Sequence, residues 1–311
     1  MNDCLIVCAS AERFAREIAR LANNGIRYTE CRSAEEARQR YDGEEILFGD
    51  PSMIATILED LPGVNWVQST WAGVKPLIDA SRRDYVLTGV KDVFGPQMAE
   101  YVIGYLLAQE LRIIERLEAQ RARRWDTTYS GTLAGKVLGI MGTGSIGDYI
   151  ARKAKGFDIR TWGLSLSGRP SHAFDAVYPA DRLLEFLSKC DYLVSTLPQT
   201  PATDALLNAQ ALAALPAGAC FINVGRSNVV DDGDLLDALK SGHLARAVLD
   251  VFDEEPVPPE SELWDAPNLT ITAHIAAVSH PELIVPIFVR NFAHFRKAEP
   301  LEYVVDFSAG Y

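Results

Sequence analysis

The sequence predicts an α/β protein of two doubly wound parallel sheets, one domain inserted into the other. Three observations predict this. Short apolar runs alternate with stretches of helical periodicity from the N-terminus onward, the pattern of βα units and a parallel sheet. A second such series opens at GKVLGIMGTGSIG (135–147). After His274 the chain turns helical again, so the N-terminal region and a C-terminal return form one domain around an inserted one. A length of 311 residues suits two domains.

The elements follow in order. CLIVCA (4–9) reads as a buried strand and AERFAREIARLANNG (11–25) as an amphipathic helix ending at Gly25. EILFGDP (45–51) and VNWVQST (64–70) read as further strands. TGVKDVFGPQ (88–97) carries two Gly and one Pro and reads as loop. One long helix is expected from Pro96 through Trp125, because proline is well suited to a first helical turn. In the second series, strands are expected at 160–164, 192–197, 219–225, 246–252 and 269–274. HPELIVPIFVRNFAHFRKAEP (280–300) is the helical return.

Composition narrows the function. A net charge of −12, from 30 Lys and Arg against 42 Asp and Glu, argues against a nucleic-acid partner. The longest apolar stretches, such as LIVPIFV (283–289), fall far short of the ~20 residues a membrane span needs. The start, MNDCLIVCAS, has no basic leader and reads as a first strand. Cys4, Cys8, Cys31, Cys190 and Cys220 form no CxxC pair, and a reduced, cytoplasmic setting is expected. His243, His280 and His294 lack metal-ligand spacing, so no metal is expected.

Gly142, Gly144 and Gly147 form G-x-G-x-x-G between an apolar strand and a helical stretch. The first glycine permits the tight turn, the second lets backbone approach a pyrophosphate, and the third lets helix pack on strand. The helix N-terminus then offers N–H groups to the phosphates. A dinucleotide is therefore expected. In many such sites the second strand ends in a carboxylate that binds the adenosine ribose. Here Gly163, Leu164 and Ser165 stand in its place, and Asp175 lies too far along. Ser165 and Ser167 offer hydroxyls, and Arg169 suits a phosphate. The missing acid favours NADP(H), with NAD(H) left open.

Arg226, Glu255 and His274 each fall at or just past the end of a predicted strand, where open α/β sheets bind ligands. Singly, each has an ordinary structural use. As an ordered set behind the glycine turn they make an acid–base site.

GTGSIG (142–147), LPQTPAT (197–203), NVGRSNVVDDGDLLDAL (223–239), LDVFDEEP (249–256) and TAHIAA (272–277) together resemble the D-isomer-specific 2-hydroxyacid dehydrogenase family. The similarity runs from about residue 64 to the C-terminus. FGPQMAEYV (94–102), ELWDAP (262–267) and the ending VVDFSAGY (304–311) resemble its glyoxylate/hydroxypyruvate reductase A branch. The resemblance implies two Rossmann-like domains. A dinucleotide-binding domain at 103–275 would be inserted into a flavodoxin-like substrate domain at 1–102 and 276–311. It also implies a homodimer, with the helix after Pro96 at the interface.

By the same resemblance, His274 is the proton donor, Glu255 its partner, and Arg226 the group that binds substrate. A nearby carboxylate favours the protonated ring, and a guanidinium matches a carboxylate or a growing oxyanion. STWAGVKPL (69–77) resembles the family loop whose N–H groups hold the substrate carboxylate, which points to Ala72, Gly73 and Val74. Cofactor contacts are implied at Gly142, Gly144, Ser145, Ile146, Gly147, Ser165, Ser167, Arg169, Leu197, Pro198, Thr203, Val224, Gly225, Asp250, His274 and Ala276. Tyr101 is open to two readings, one facing substrate and one in a domain interface.

One departure bears on the cofactor. The relatives carry more basic residues after the second strand, where this chain has Leu164 and Leu166. The expected activity is reduction of glyoxylate or hydroxypyruvate. Alternatives are a D-2-hydroxyacid dehydrogenase for a bulkier 2-oxo acid and a dinucleotide-sensing interaction protein on the same fold.

Overall fold

The two central strands that begin the first sheet, CLIV and ILFG, are short, apolar and fully buried, which is what burial on both faces of a parallel sheet requires. The computed structural model describes residues 3–22 and 25–308. Within it, β1 (Cys4–Val7) is fully buried and leads into α1 (Ala11–Ala22). There follow β2 (Tyr28–Cys31), α2 (Ala34–Arg40), β3 (Ile46–Gly49), α3 (Pro51–Ala55), β4 (Trp66–Ser69), α4 (Lys75–Asp79) and β5 (Val86–Thr88). All pairs are parallel, in the order β2-β1-β3-β4-β5. That is the flavodoxin-like doubly wound order. Of the helix expected over 11–25, Asn23 and Asn24 lie outside the described residues, as do Ala309, Gly310 and Tyr311 of the C-terminal motif.

The second sheet begins after α5 (Gly95–Glu110) and α6 (Ile113–Arg121). Its elements are β6 (Val137–Met141), α7 (Ser145–Ala154), β7 (Arg160–Ser165), β8 (Ala176–Pro179), α8 (Leu183–Leu187), β9 (Tyr192–Ser195), α9 (Ala209–Ala214), β10 (Ala219–Asn223), α10 (Asp232–Lys240), β11 (Leu244–Leu249) and β12 (Leu269–Ile271). The strand order is β12-β11-β10-β9-β6-β7-β8, again all parallel. Strand order reverses between β6 and β9, so that is where a doubly wound sheet opens its ligand crevice.

The chain returns to the first unit through α11 (Pro281–Arg296). Phe288 stacks on Phe48 with centroids 4.3 Å apart. Asn291 donates to the buried Gln68 at 3.0 Å, closing a polar network that also holds Thr88. The two compact units are residues 1–93 with 279–311, and residues 94–278. The expected cuts at 102/103 and 275/276 fall inside α5 and inside the segment after β12.

The single long helix expected from Pro96 to Trp125 is two. Arg112 takes a left-handed φ of +52°, which ends the hydrogen-bond ladder between α5 and α6. Glu110 is drawn inward at the same point, where its carboxylate accepts from Lys136 Nζ at 2.7 Å and from the Tyr192 hydroxyl. Trp125 lies beyond α6 and is 92% exposed.

Candidate active site

The glycine turn follows β6. Gly142 has φ +103°, a conformation side-chain-bearing residues avoid, and a Cβ there would stand 2.6 Å from Thr196 Oγ1. A Cβ on Gly147 would lie 2.0 Å from the carbonyl oxygen of Gly142, so α7 packs on the turn as only glycine allows. Gly144 differs, because nothing stands within 4 Å of its Cβ position. No side chain caps α7, and Gly144 and Ser145 are exposed. The first N–H groups of α7, at Ser145 and Ile146, thus lie beside open space, a cradle that fits a pyrophosphate.

Leu197 and Gly225 lie beside each other near this cradle's sheet edge. A Cβ on Gly225 would meet the Leu197 backbone at 2.7 Å. Val224 donates to Ser195 O, and Pro198 O accepts from the Thr203 hydroxyl at 2.8 Å. Thr203 also accepts from Thr200 N–H, so its hydroxyl closes the loop after β9.

At the end of β7 no carboxylate is present. Ser165 Oγ accepts from Gly168 N–H at 3.1 Å, and Arg169 is exposed with no ion pair among the described residues. Leu166 is 86% exposed. Asp175 accepts from Thr161 N–H and pairs with Lys155 at 2.9 Å. Thr161 is at the opposite end of β7 from Ser165, about 13 Å away along a strand.

The three residues expected to form the acid–base site lie beyond β10, β11 and β12. His274 Nδ1 is 2.9 Å from Glu255 Oε2, and the other carboxylate oxygen accepts from Phe252 N–H at 3.0 Å. Both ends of Glu255 are therefore fixed. Arg226 is half-buried and donates to Gly225 O at 2.6 Å. It forms no ion pair within 4 Å among the described residues, although Glu255 is near enough to favour its charge. Burial pushes the guanidinium below its ordinary value and the Glu255 carboxylate opposes that shift. A partly desolvated cation of this kind is suited to an anionic ligand.

The turn presenting Arg226 is held by Asn223, which sequence reading did not single out. Its amide donates to Arg226 O at 2.9 Å and accepts from Gly225 N–H at 3.1 Å. Asp250 is buried, and its carboxylate accepts from Thr272 Oγ1, Ile275 N–H and Ala276 N–H. Asp250 and Ala276 thus bond each other. The Tyr101 hydroxyl lies 2.6 Å from Thr272 Oγ1.

In the first unit, Ala72, Gly73 and Val74 follow the carboxyl end of β4. Their N–H groups meet no acceptor among the described residues, and Ser279 Oγ donates to the neighbouring Thr70 O at 2.6 Å. Among the described residues no group of three or more His, Cys, Asp and Glu is placed to hold a metal ion. Nor is any described helix long and apolar enough to cross a membrane.

Residues 103–276, more than half of the chain, match the family described as D-isomer specific 2-hydroxyacid dehydrogenase, NAD binding domain. The chain belongs to this family. It is accordingly an oxidoreductase with a NAD(P)-binding domain, in a family that acts on 2-hydroxy and 2-oxo acids. A D-isomer specific 2-hydroxyacid dehydrogenase family protein from Aeromonas salmonicida is 38% identical, covers 99% of this chain and 100% of its own, and superposes with a TM-score of 0.94. The NADPH-dependent glyoxylate/hydroxypyruvate reductase of Sinorhizobium meliloti, solved with NADP and sulfate, is 30% identical over 99% of this chain and 100% of its own, with a TM-score of 0.87. A family member from Xanthobacter autotrophicus, solved with NADPH and MES, is 28% identical over the whole of both chains, also at 0.87.

Proposed function

We propose that this chain reduces small 2-oxo acids, glyoxylate to glycolate or hydroxypyruvate to D-glycerate, with NADPH preferred over NADH. The observation that carries this reading is the His274–Glu255 pair at 2.9 Å near the half-buried Arg226, which forms no ion pair among the described residues. Similarity to the S. meliloti reductase supports the substrate class. The uncharged end of β7 supports NADPH, since no carboxylate there repels a 2′-phosphate.

When bound, the dinucleotide supplies a hydride to the carbonyl carbon of the 2-oxo acid. The residues of this chain manage the charge that follows. Arg226 orients the anion and stabilises negative charge growing on the carbonyl oxygen. Glu255 fixes the imidazole through Nδ1, so the proton that reaches that oxygen leaves from Nε2 of His274. The N–H groups of Ala72, Gly73 and Val74 hold the substrate carboxylate without a further cation. The first unit is thus the substrate-binding domain and the second the dinucleotide-binding domain.

A homodimer through α5 and α6 is part of this reading. Leu111, Ile113 and Leu117 are exposed there, and Trp125 and Tyr129 are exposed just beyond. The five cysteines are free and buried, in keeping with a cytoplasmic setting.

The test is loss of nicotinamide absorbance with glyoxylate, hydroxypyruvate and bulkier 2-oxo acids, each with NADPH and NADH. The expected result is the highest kcat/KM with NADPH and a small 2-oxo acid. No turnover across the panel overturns the reading, and a clear NADH advantage overturns the cofactor preference.

A further inference from the structure

Resting on the reading of His274 as proton donor, we propose that Gln97 and Tyr101, one turn apart on α5, are positioning residues that set the backbone carrying His274. That backbone needs holding. His274 sits at φ +53°, in the left-handed region that residues with a Cβ enter only under constraint. Constraint comes from both sides. Before His274, Thr272 donates to Asp250 Oδ1 at 2.6 Å, so its oxygen is left to accept from the Tyr101 hydroxyl at 2.6 Å. Burial pushes the Tyr101 phenol up, which keeps it a donor. After His274, Gln97 both gives and takes: its Nε2 donates to Val278 O at 3.1 Å and its Oε1 accepts from Val278 N–H at 3.0 Å.

Residues four apart share a face of a helix, so one stripe of α5 grips residues 272 and 278 with the histidine between them. The same helix is braced against α7. A Cβ on Gly95 would meet the Tyr149 ring at 2.7 Å, and Ala99, Val102 and Leu106 pack in one core with Ile150, Ala151 and Ala154. Because α7 begins at the glycine turn, α5 holds the proton donor in register with the cradle. A shift of about 1 Å in such a group is enough to slow chemistry without weakening binding.

The test compares Y101F, Q97L, T272V and T272S with the parent in NADPH-dependent glyoxylate reduction at 25 °C, with H274A alongside. Y101F, Q97L and T272V are expected to lose about tenfold in kcat, ~1.4 kcal/mol of barrier, with KM for glyoxylate within twofold. T272S keeps the parent rate. The solvent deuterium isotope effect on kcat rises in the slow variants, as proton transfer comes to limit turnover. If H274A is inactive while Y101F and Q97L keep kcat within twofold, the positioning role is wrong, even where their Tm falls. If H274A itself turns over at the parent rate, the proton-donor assignment is what fails.

Discussion

Gly144→Ala places a methyl group where no protein atom stands within 4 Å. Its φ of −73° and ψ of −170° are ordinary for alanine, so the backbone is unstrained. The fold loses only the N-cap preference of glycine over alanine, about 1 kcal/mol at most, or roughly 2–4 °C in Tm. The bound cofactor loses more. On the cradle assignment, the methyl fills the space through which a pyrophosphate would approach the N–H groups of α7. Losing two charge-assisted hydrogen bonds at ~1.5 kcal/mol each raises the NADPH Kd about 150-fold. Gly147→Ala is the control with the opposite signature. Its Cβ would lie 2.0 Å from a backbone carbonyl that cannot rotate away, so the helix must retreat by about 1 Å. Overpacking of that kind costs ~1–3 kcal/mol and lowers Tm directly. The assay is thermal unfolding with a fluorescence titration of NADPH on each purified variant. A Gly144→Ala protein that binds NADPH as the parent does would mean the phosphates lie elsewhere, and the cradle assignment would be refuted.

Three further outcomes are expected. Ser165→Asp restores an acid at the end of β7, and kcat/KM measured with each cofactor should move at least about tenfold from NADPH toward NADH. Glu255→Gln keeps an acceptor for Phe252 N–H but removes the charge behind His274, so steady-state kcat should fall about 10²-fold with little change in Tm. Burial pushes the Cys8 and Cys31 thiols up to about 11, leaving on the order of one thiolate in a thousand of each at pH 8, and raises the other three further. A thiol reagent should therefore label the native protein slowly and all five cysteines in denaturant; fast native labelling would contradict that burial.

Most of the strands legible in the sequence are buried on both faces, although the half-exposed edge strand β12 was legible too. CLIV, VLGIM and ACFIN are continuous apolar runs, and burial alone dictates them. The strands that escaped sequence reading are marginal ones. β2 (YTEC) and β8 (AVYP) are four-residue edge strands, half-exposed, and β5 (VLT) is a three-residue edge strand whose last residue falls in the expected loop; each has too little apolar pattern to stand out. The break at Arg112 was equally hidden, because helical periodicity runs on through it. What ends α5 there is a left-handed residue beside the inward-facing Glu110.

By itself the sequence determined the doubly wound class, the glycine spacing and the placing of Arg226, Glu255 and His274 after strand ends, since each depends on residues within a few positions of one another. The pairing of Glu255 with His274 across 19 residues was already implied by the resemblance. Only the tertiary structure decided which other polar groups meet: Tyr101 with Thr272 across 171 residues, and Gln97 with Val278 across 181. The physical reason is that apolar periodicity is imposed locally by the backbone repeat. A hydrogen bond leaves no such local pattern, because any donor can serve any acceptor that the packed core brings within reach.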